Sequence, residues 1–345
     1  MKLSSLTVAL AASVAITGAA TAQQITGAGA TFPAPIYAKW GEGARSAVGV
    51  ELNYQAIGSG GGINQITNRT VDFGASDAPL AADRLESGKL LQFPTVMGGV
   101  VPIVNIPGIE ADKLRLTGEI LADLYLGKIT RWNDTRIAEL NRDITLPNLA
   151  VAPVYRAEGS GTTFVFASYL STTSADWKSK VGAATSIRWP VGTGARGNDG
   201  VAGTVRNVRG ALGYVESAYA TINKLTTVQL RNKAGSFVVP TRESFQAAAA
   251  NADWAGAPNF AVSLIDQQGA TSWPIVSATF LLLPTNPEDV TRSRNVMRFV
   301  DWAYTHGDAA AQELEYVPLP ASVKDAVRAA WQKGIVVDGK PVWTP

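Results

Sequence analysis

The sequence predicts an α/β protein built from two domains. Strand-like runs alternate with helical ones, and the order strand, glycine-rich turn, helix occurs at least twice along the chain. At 345 residues the chain is long enough to form two separate hydrophobic cores. Two apolar segments, residues 99–105 and 274–283, are candidates for strands that cross between the domains. Two such crossings are typical of a hinged binding protein.

The first predicted elements are a glycine-rich loop and a helix. The loop at residues 27–32 reads Gly-Ala-Gly-Ala-Thr-Phe, and Ile36, Tyr37 and Trp40 follow it at helical spacing. Pro33 would fall in the first turn of this helix. Proline is tolerated there because the first backbone N–H groups of a helix have no intrahelical acceptor.

A second strand, glycine loop and helix follow. Residues 50–54 alternate apolar and polar side chains, which predicts a strand that leads into a glycine loop at residues 58–62. Ile63 and Ile66, three residues apart, then predict a short helix.

Two later strands end at charged residues. Residues 71–75 alternate again and lead to Asp77, and residues 151–155 lead to Arg156 and the third glycine loop, residues 158–162. The helix predicted after the third loop has one apolar face, formed by Phe164, Ala167 and Leu170.

The three loops together predict an anion site. A helix N-terminus offers unpaired N–H groups and a partial positive charge, and open α/β sheets bind ligands at the carboxyl ends of their strands. Thr31, Ser59 and Ser160 supply hydroxyls in these loops. Each hydroxyl could instead cap its helix, and capping is the favoured interpretation of Thr31 when its loop is considered alone. All three loops considered together favour an oxyanion site made mainly of neutral donors.

Two charged residues refine this hypothesis. Arg156 could be a surface residue paired with Glu158, but its guanidinium also suits a tetrahedral oxyanion, with Glu158 holding it from behind. Asp77 could simply initiate a turn before Pro79. Inside an anion site, however, a carboxylate repels its ligand unless it accepts a proton from it. Asp77 is therefore the candidate residue for selecting a protonated anion such as phosphate over sulfate.

A fourth glycine-rich segment, residues 192–200, lies between the third loop and the next apolar run. It could start another helix at Asp199 or form a lip near a cleft. We favour a structural role for this segment.

The composition excludes several classes of function. The net charge of +2 disfavours generic binding to nucleic acid or to a membrane surface. With no cysteine and one histidine, His306, the chain has no soft metal site, and His306 is predicted to end a helix. Neither Ser59 nor Ser160 lies in a Gly-x-Ser-x-Gly elbow, and a Walker A loop is absent. We therefore expect no catalytic residue and no cofactor.

The N-terminus, residues 1–22, is predicted to be a cleavable signal peptide. Lys2 supplies the positive end, residues 6–16 form a short apolar core, and residues 20–22 read Ala-Thr-Ala. Without a cysteine at the cleavage point, the mature chain is not expected to carry a lipid anchor. These features predict a periplasmic protein.

Nine motifs of this sequence occur together in one known family. In chain order they are GAGATFPAP at 27–35, DFGASD at 72–77, YLGKI at 125–129, WND at 132–134, GSGT at 159–162, GNDG at 197–200, GYVE at 213–216, DWAY at 301–304 and PLP at 318–320. Through them the mature chain resembles, over essentially its whole length, the periplasmic phosphate-binding proteins of bacterial phosphate-specific ABC transporters.

The resemblance implies a type II periplasmic-binding-protein fold, in which two α/β lobes joined by a two-strand hinge close over phosphate in the cleft between them. It implies that Asp77 accepts the ligand's proton and that Arg156 supplies the charged contact. The other implied ligand residues act as donors, Phe32 through its backbone N–H: Thr31, Phe32, Ser59, Ser160, Gly161 and Thr162. The chain departs from the family's pattern at Glu158, commonly Asp, and at Gly60, often Ser.

The expected lobe boundaries follow from the two crossings. Lobe I would comprise residues 23–100 and 274–345, and lobe II residues 101–273. We expect a monomer that binds inorganic phosphate, delivers it to an inner-membrane ABC permease and binds no nucleic acid. The alternatives are a receptor for another tetrahedral oxyanion, such as arsenate or sulfate, or, less favoured, an exported phosphoesterase or serine hydrolase or a structural envelope protein.

Overall fold

The computed structural model describes residues 23–250, 252–254 and 256–344, so the proposed signal peptide lies outside the described residues. The strands of the described part are, in chain order, β1 (Gln23–Gly29), β2 (Val50–Ala56), β3 (Phe73–Ser76), β4 (Leu90–Val104), β5 (Arg115–Leu116), β6 (Ala152–Arg156), β7 (Thr193–Ala195), β8 (Ala211–Glu216), β9 (Thr226–Thr227), β10 (Gln229–Arg231), β11 (Phe237–Val238), β12 (Val276–Pro284), β13 (Val336–Val337) and β14 (Lys340–Pro341). The α-helices are α1 (Ala34–Val48), α2 (Ser59–Thr67), α3 (Ala82–Gly88), α4 (Gly118–Tyr125), α5 (Thr135–Ala138), α6 (Gly161–Thr173), α7 (Ala175–Lys180), α8 (Gly197–Asn207), α9 (Ser217–Ile222), α10 (Arg242–Ala249), α11 (Val290–His306), α12 (Asp308–Glu313) and α13 (Ala321–Gly334).

One long mixed sheet organises these elements. Its strand order is β2-β1-β3-β12-β4-β8-β6-β7, with β9 also paired to β4. β1 runs parallel to β2 and β3, and β6 runs parallel to β7 and β8. β12 and β4 are antiparallel to their neighbours and lie between these two parallel groups. The predicted α/β class is confirmed.

Strand β4 joins the two parallel groups. Its first part, Leu90–Gly99, pairs with β12, and its last part, Val100–Val104, pairs with β8. We call the strands on the β12 side the first half-sheet and those on the β8 side the second half-sheet. The change of partner at Gly99 lies at the start of the crossing segment predicted at residues 99–105. The second predicted crossing, residues 274–283, lies alongside it, where Val100 N–H donates to the carbonyl of Ile275 (2.8 Å).

The helices after the first two glycine loops pack as the apolar spacing predicts. α1 buries Ile36, Tyr37 and Trp40, and α2 buries Ile63 and Ile66. In both helices these apolar side chains recur every three or four residues, so they lie on one face.

The helix after the third loop differs from its prediction. Phe164, expected on the apolar face, is only half-buried, whereas Val165, Phe166 and Tyr169 are buried. Because α6 packs against α4, α7 and β8, it buries more than one face, and a single apolar stripe could not describe it.

The topology makes the loops of the two half-sheets face each other. Strands β1, β2 and β3 run in the direction of β4 and point toward its last part, whereas β6, β7 and β8 run opposite to β4 and point toward its first part. The carboxyl ends of the two groups therefore meet between the half-sheets. The first two glycine loops lie at the carboxyl ends of β1 and β2, and Asp77 follows β3, whereas the third glycine loop follows β6 and the start of α8 follows β7. In the part of the chain that the structure describes, no helix is long and apolar enough to cross a membrane.

Candidate anion-binding site

The second and third glycine loops meet between the half-sheets. Ser59 Oγ accepts hydrogen bonds from Gly161 N–H (3.0 Å) and from Asp77 N–H (3.3 Å). The backbone N–H of Gly60 donates to the carbonyl of Gly159 (2.9 Å). These contacts join β2 and β3 of the first half-sheet to α6 of the second. All eight residues expected to bind the ligand are buried: Thr31, Phe32, Ser59, Asp77, Arg156, Ser160, Gly161 and Thr162.

The close approach of the loops requires glycine at position 161. A β-carbon on Gly161 would lie 2.6 Å from both Asp77 Oδ2 and Ser59 Oγ. Such a distance is far below van der Waals contact, so any side chain here would push the two loops apart.

The first loop reaches the second half-sheet through Thr31. Thr31 Oγ1 accepts a hydrogen bond from the backbone N–H of Asn198 (3.3 Å), in the first turn of α8. Thr31 therefore does not cap α1, and the interpretation favoured for its loop considered alone is wrong. Because α1 begins at Ala34, three residues after Thr31, its cap position is Pro33. The Pro33 side chain makes no capping hydrogen bond.

The hydroxyls of the loops share one hydrogen-bonding pattern. Thr31, Ser59 and Ser160 each accept a hydrogen bond from a backbone N–H, in the case of Ser160 from Thr163 (3.1 Å). None of the three donates its own proton to an acceptor among the described residues, and the Phe32 N–H has no acceptor there either. Ser160 caps α6, so a capping serine can also present a proton to a ligand.

Asp77 is the buried acceptor at the centre of these donors. Its side chain is 1% exposed; Oδ1 accepts from Thr279 Oγ1 (2.8 Å), whereas Oδ2 has no hydrogen-bond partner among the described residues. Burial raises the pKa of Asp77 to about 7, although the hydrogen bond from Thr279 and the positive charge of Arg156 act in the opposite direction. A carboxyl group in this state can share a proton with a ligand near neutral pH.

Arg156 is held by Glu158. Its Nε donates to Glu158 Oε1 (2.9 Å), and Nη2 makes an ion pair with the same oxygen. Burial alone would raise the pKa of Glu158. The positive charge of Arg156 outweighs this effect, together with the hydrogen bonds from Arg156 and the Gly197 N–H, so the pKa of Glu158 lies below its ordinary value. Because Nε and Nη2 of Arg156 both bind Oε1 of Glu158, the other carboxylate oxygen, Oε2, is buried and has no partner among the described residues.

The remaining guanidinium nitrogen of Arg156 faces the site. Nη1 donates to Asn198 Oδ1 (3.2 Å) and contacts Thr162 Oγ1 (3.4 Å). Three fixed neighbours therefore orient the guanidinium before any ligand contacts it.

Asn198 and Thr279 are site residues that the sequence reasoning missed. Asn198 lies in the fourth glycine-rich segment, for which a purely structural role was favoured, and α8 begins at Gly197 rather than at Asp199. The sequence signal for Asn198 was a polar residue at a helix start after a glycine turn. The signal for Thr279 was a pair of hydroxyl residues, Ser277 and Thr279, at the start of the mostly apolar strand β12.

The arrangement can bind an anion that both accepts hydrogen bonds and donates one. Backbone N–H groups, hydroxyl protons and one guanidinium supply the donors, and Asp77 Oδ2 supplies the acceptor. Among the described residues there is no cluster of three or more His, Cys, Asp or Glu side chains that could hold a metal ion.

Comparison of the sequence with known proteins also points to a phosphate-binding family. A family model described as PBP superfamily domain matches residues 15–306. The phosphate-binding protein PstS of Pasteurella multocida is 50% identical over 323 residues, which cover 93% of this chain and 94% of that protein. The chain belongs to the PstS family of phosphate-binding proteins. PstS of Haemophilus influenzae is 48% identical over 313 residues, covering 91% of this chain and 94% of that protein.

Solved structures show the same fold as this PstS family member. A high-affinity periplasmic phosphate-binding protein, PfluDING, bound with phosphate, has a TM-score of 0.75 at 23% identity and covers 93% of this chain and 98% of its own. A phosphate-binding protein from Stenotrophomonas maltophilia has a TM-score of 0.68 at 21% identity, covering 90% and 94% of the two chains. The predicted two-lobe periplasmic-binding fold is confirmed.

Proposed function

We propose that this protein binds inorganic phosphate in the periplasm and delivers it to an inner-membrane ABC permease. The observation that carries the proposal is Asp77 Oδ2, a buried carboxyl oxygen without a protein partner among the described residues, surrounded by hydrogen-bond donors. Phosphate suits such a site because it retains a proton near neutral pH, which Asp77 can accept. The names of the curated PstS relatives support the same ligand.

The proposed ligand set is divided between the half-sheets. Asp77 and Arg156 are the charged members on the two sides, and the remaining members are donors: Thr31, Phe32 and Ser59 on the first side, and Ser160, Gly161 and Thr162 on the second. Because each side holds part of the set, only a closed form can satisfy the anion, and we propose hinge closure between lobe I (residues 23–100 and 274–345) and lobe II (residues 101–273) as the binding step.

The proposed selectivity rests on hydrogen bonding to Asp77. Fully ionised sulfate has no proton to donate, so it would leave a buried carboxylate oxygen unpaired beside a negative ligand. Arsenate carries the same proton as phosphate, and this argument does not separate the two.

We propose a receptor without turnover. His306, the only histidine of the sequence, ends α11 and stacks on Trp302, with ring centroids 5.9 Å apart. A serine hydrolase of the usual type needs a histidine in contact with its reactive serine. Among the described residues, His306 makes no hydrogen bond with Ser59 or Ser160. An exported serine hydrolase is therefore the weaker candidate.

Titration calorimetry on the chain from residue 23 onward tests the proposal. We expect a single phosphate site per chain and no heat of binding with sulfate at the same ionic strength. Equal affinity for the two anions would contradict the role of Asp77, and hydrolysis of a chromogenic phosphoester would contradict the receptor function.

A further inference from the structure

The peptide group between Thr31 and Phe32 has a proposed ligand donor on one side and a strong hydrogen bond on the other. The Thr31 carbonyl accepts a hydrogen bond from the hydroxyl of Tyr219 (2.6 Å). The N–H of the same peptide group belongs to Phe32 and has no acceptor among the described residues. Because the peptide is planar and trans, its C=O and N–H point in opposite directions. A hydroxyl that fixes the carbonyl therefore also fixes the direction of the N–H.

Tyr219 belongs to the opposite side of the cleft. It lies on α9, which directly follows β8 of the second half-sheet, whereas Thr31 follows β1 of the first. The Tyr219 side chain is 4% exposed, so its hydroxyl bond to Thr31 forms in a nearly dry environment. This hydrogen bond exists only when the two sides are together.

We propose that Tyr219 is a positioning residue that couples closure to phosphate binding, an inference that rests on the proposed function. On closure its hydroxyl binds the Thr31 carbonyl and aims the Phe32 N–H at the anion. A hydrogen bond to the carbonyl also polarises the peptide group and strengthens its N–H as a donor. Tyr219 thereby stabilises the closed, liganded form without touching the ligand.

The same loop provides a matched control. The hydroxyl of Tyr316 donates to the carbonyl of the next residue, Phe32, also at 2.6 Å, and Tyr316 is fully buried. That peptide group leads into Pro33 and has no N–H to aim at a ligand. Tyr316 also lies on the same side as the loop, because the adjacent Val317 bridges to Met97 in the first part of β4. The hydrogen bond from Tyr316 to the Phe32 carbonyl therefore joins two groups on the same side of the cleft, although the Tyr316 hydroxyl also lies near Glu216 at the end of β8.

The experiment compares Tyr219→Phe with Tyr316→Phe by calorimetry, stopped-flow kinetics and thermal unfolding, with inorganic phosphate as the probe. We expect Tyr219→Phe to raise the Kd for phosphate about tenfold, mainly through faster dissociation, because the lost hydrogen bond stabilises only the closed form. The Tm of the ligand-free Tyr219→Phe protein should stay at the wild-type value. Tyr316→Phe should keep the Kd within about twofold of wild type and lower the ligand-free Tm by about 1–3 °C.

The outcomes separate this inference from the proposed function. If the wild-type protein binds no phosphate, the proposed function fails. If the wild type binds phosphate and Tyr219→Phe keeps its Kd and dissociation rate, the role of Tyr219 is overturned while the function stands. Equal losses of affinity in both variants, or a lowered ligand-free Tm in Tyr219→Phe, would show that the two tyrosines only hold the loop together.

Discussion

The Oγ atom of Ser59 lies 3.0 Å from the backbone nitrogen of Gly161, although 102 residues separate the two in sequence. This contact joins the start of α2 to the start of α6, so two helix N-termini point at one small space. Ser59 Oγ also accepts from the N–H of Asp77, which places the acceptor of the site beside both helix starts. The geometry supports one shared anion site rather than three separate ones.

Asp77→Asn is expected to reduce the preference for phosphate over sulfate. The substitution removes a charged acceptor and introduces an amide that can donate to sulfate, so the ratio of the two affinities should fall by about 100-fold. Calorimetry with both anions measures this ratio. Asp199→Asn, which removes an exposed carboxylate at the start of α8, is the matched control and should leave the ratio unchanged. An unchanged ratio in Asp77→Asn would remove Asp77 from the selectivity mechanism.

Arg156 and Glu158 are expected to be energetically coupled. Arg156→Ala removes one ligand donor and also leaves the Glu158 carboxylate without its positive partner near the anion, so phosphate affinity should fall about 100-fold. Adding Glu158→Gln to Arg156→Ala should recover about tenfold of this loss, because the unpaired negative charge is gone. The four proteins of this double-mutant cycle are compared by calorimetry. Additive losses would mean that Glu158 does not act through Arg156.

Gly161→Ala is expected to prevent closure. The new methyl group would lie 2.6 Å from Asp77 Oδ2 and Ser59 Oγ, so the loops cannot approach and phosphate affinity should fall by at least about 100-fold. Gly203→Ala in α8 is the control, because no atom lies within 4 Å of its added methyl group. That variant should bind like wild type and gain about 0.5–1 kcal/mol in free energy of unfolding, since alanine favours the helix. Tight binding by Gly161→Ala would argue against a closed binding form.

The raised pKa of Asp77 predicts a pH-dependent stability of the ligand-free protein. Because folding raises this pKa from 3.8 to about 7, the protonated carboxyl favours the native state. Its favourable effect is complete below about pH 4 and is lost as the pH rises to about 7. Over that window the wild type should lose up to about 4 kcal/mol of unfolding free energy relative to Asp77→Asn. Urea unfolding of both proteins from pH 4 to 8 measures the difference, and a constant difference would contradict the raised pKa.

Much of the site could be predicted from the sequence because its parts are local. The glycine-rich turns and the helices that follow them depend on neighbouring residues, and α1, α2 and α6 follow such turns as predicted. The predicted loop bounds were too wide, since residues 27–29 belong to β1 and residues 59–62 belong to α2. The chemistry of Asp77 and Arg156 was also evident, since a carboxylate among anion donors needs a protonated ligand. The sequence alone thus determined the α/β class and the places of the glycine-rich turns, and it identified Asp77 and Arg156 as candidate site residues.

Contacts between distant segments were decided only by the tertiary structure. The Thr31–Asn198 and Asp77–Thr279 hydrogen bonds join residues 167 and 202 positions apart. The first joins the two half-sheets across the cleft, and the second exists because β12 pairs with β3. The raised pKa of Asp77 has the same origin, since it comes from burial between elements that are remote in sequence. Local sequence patterns indicate which residues can bind an anion. The order and direction of the strands determine which of these residues come into contact and how far they are buried from solvent.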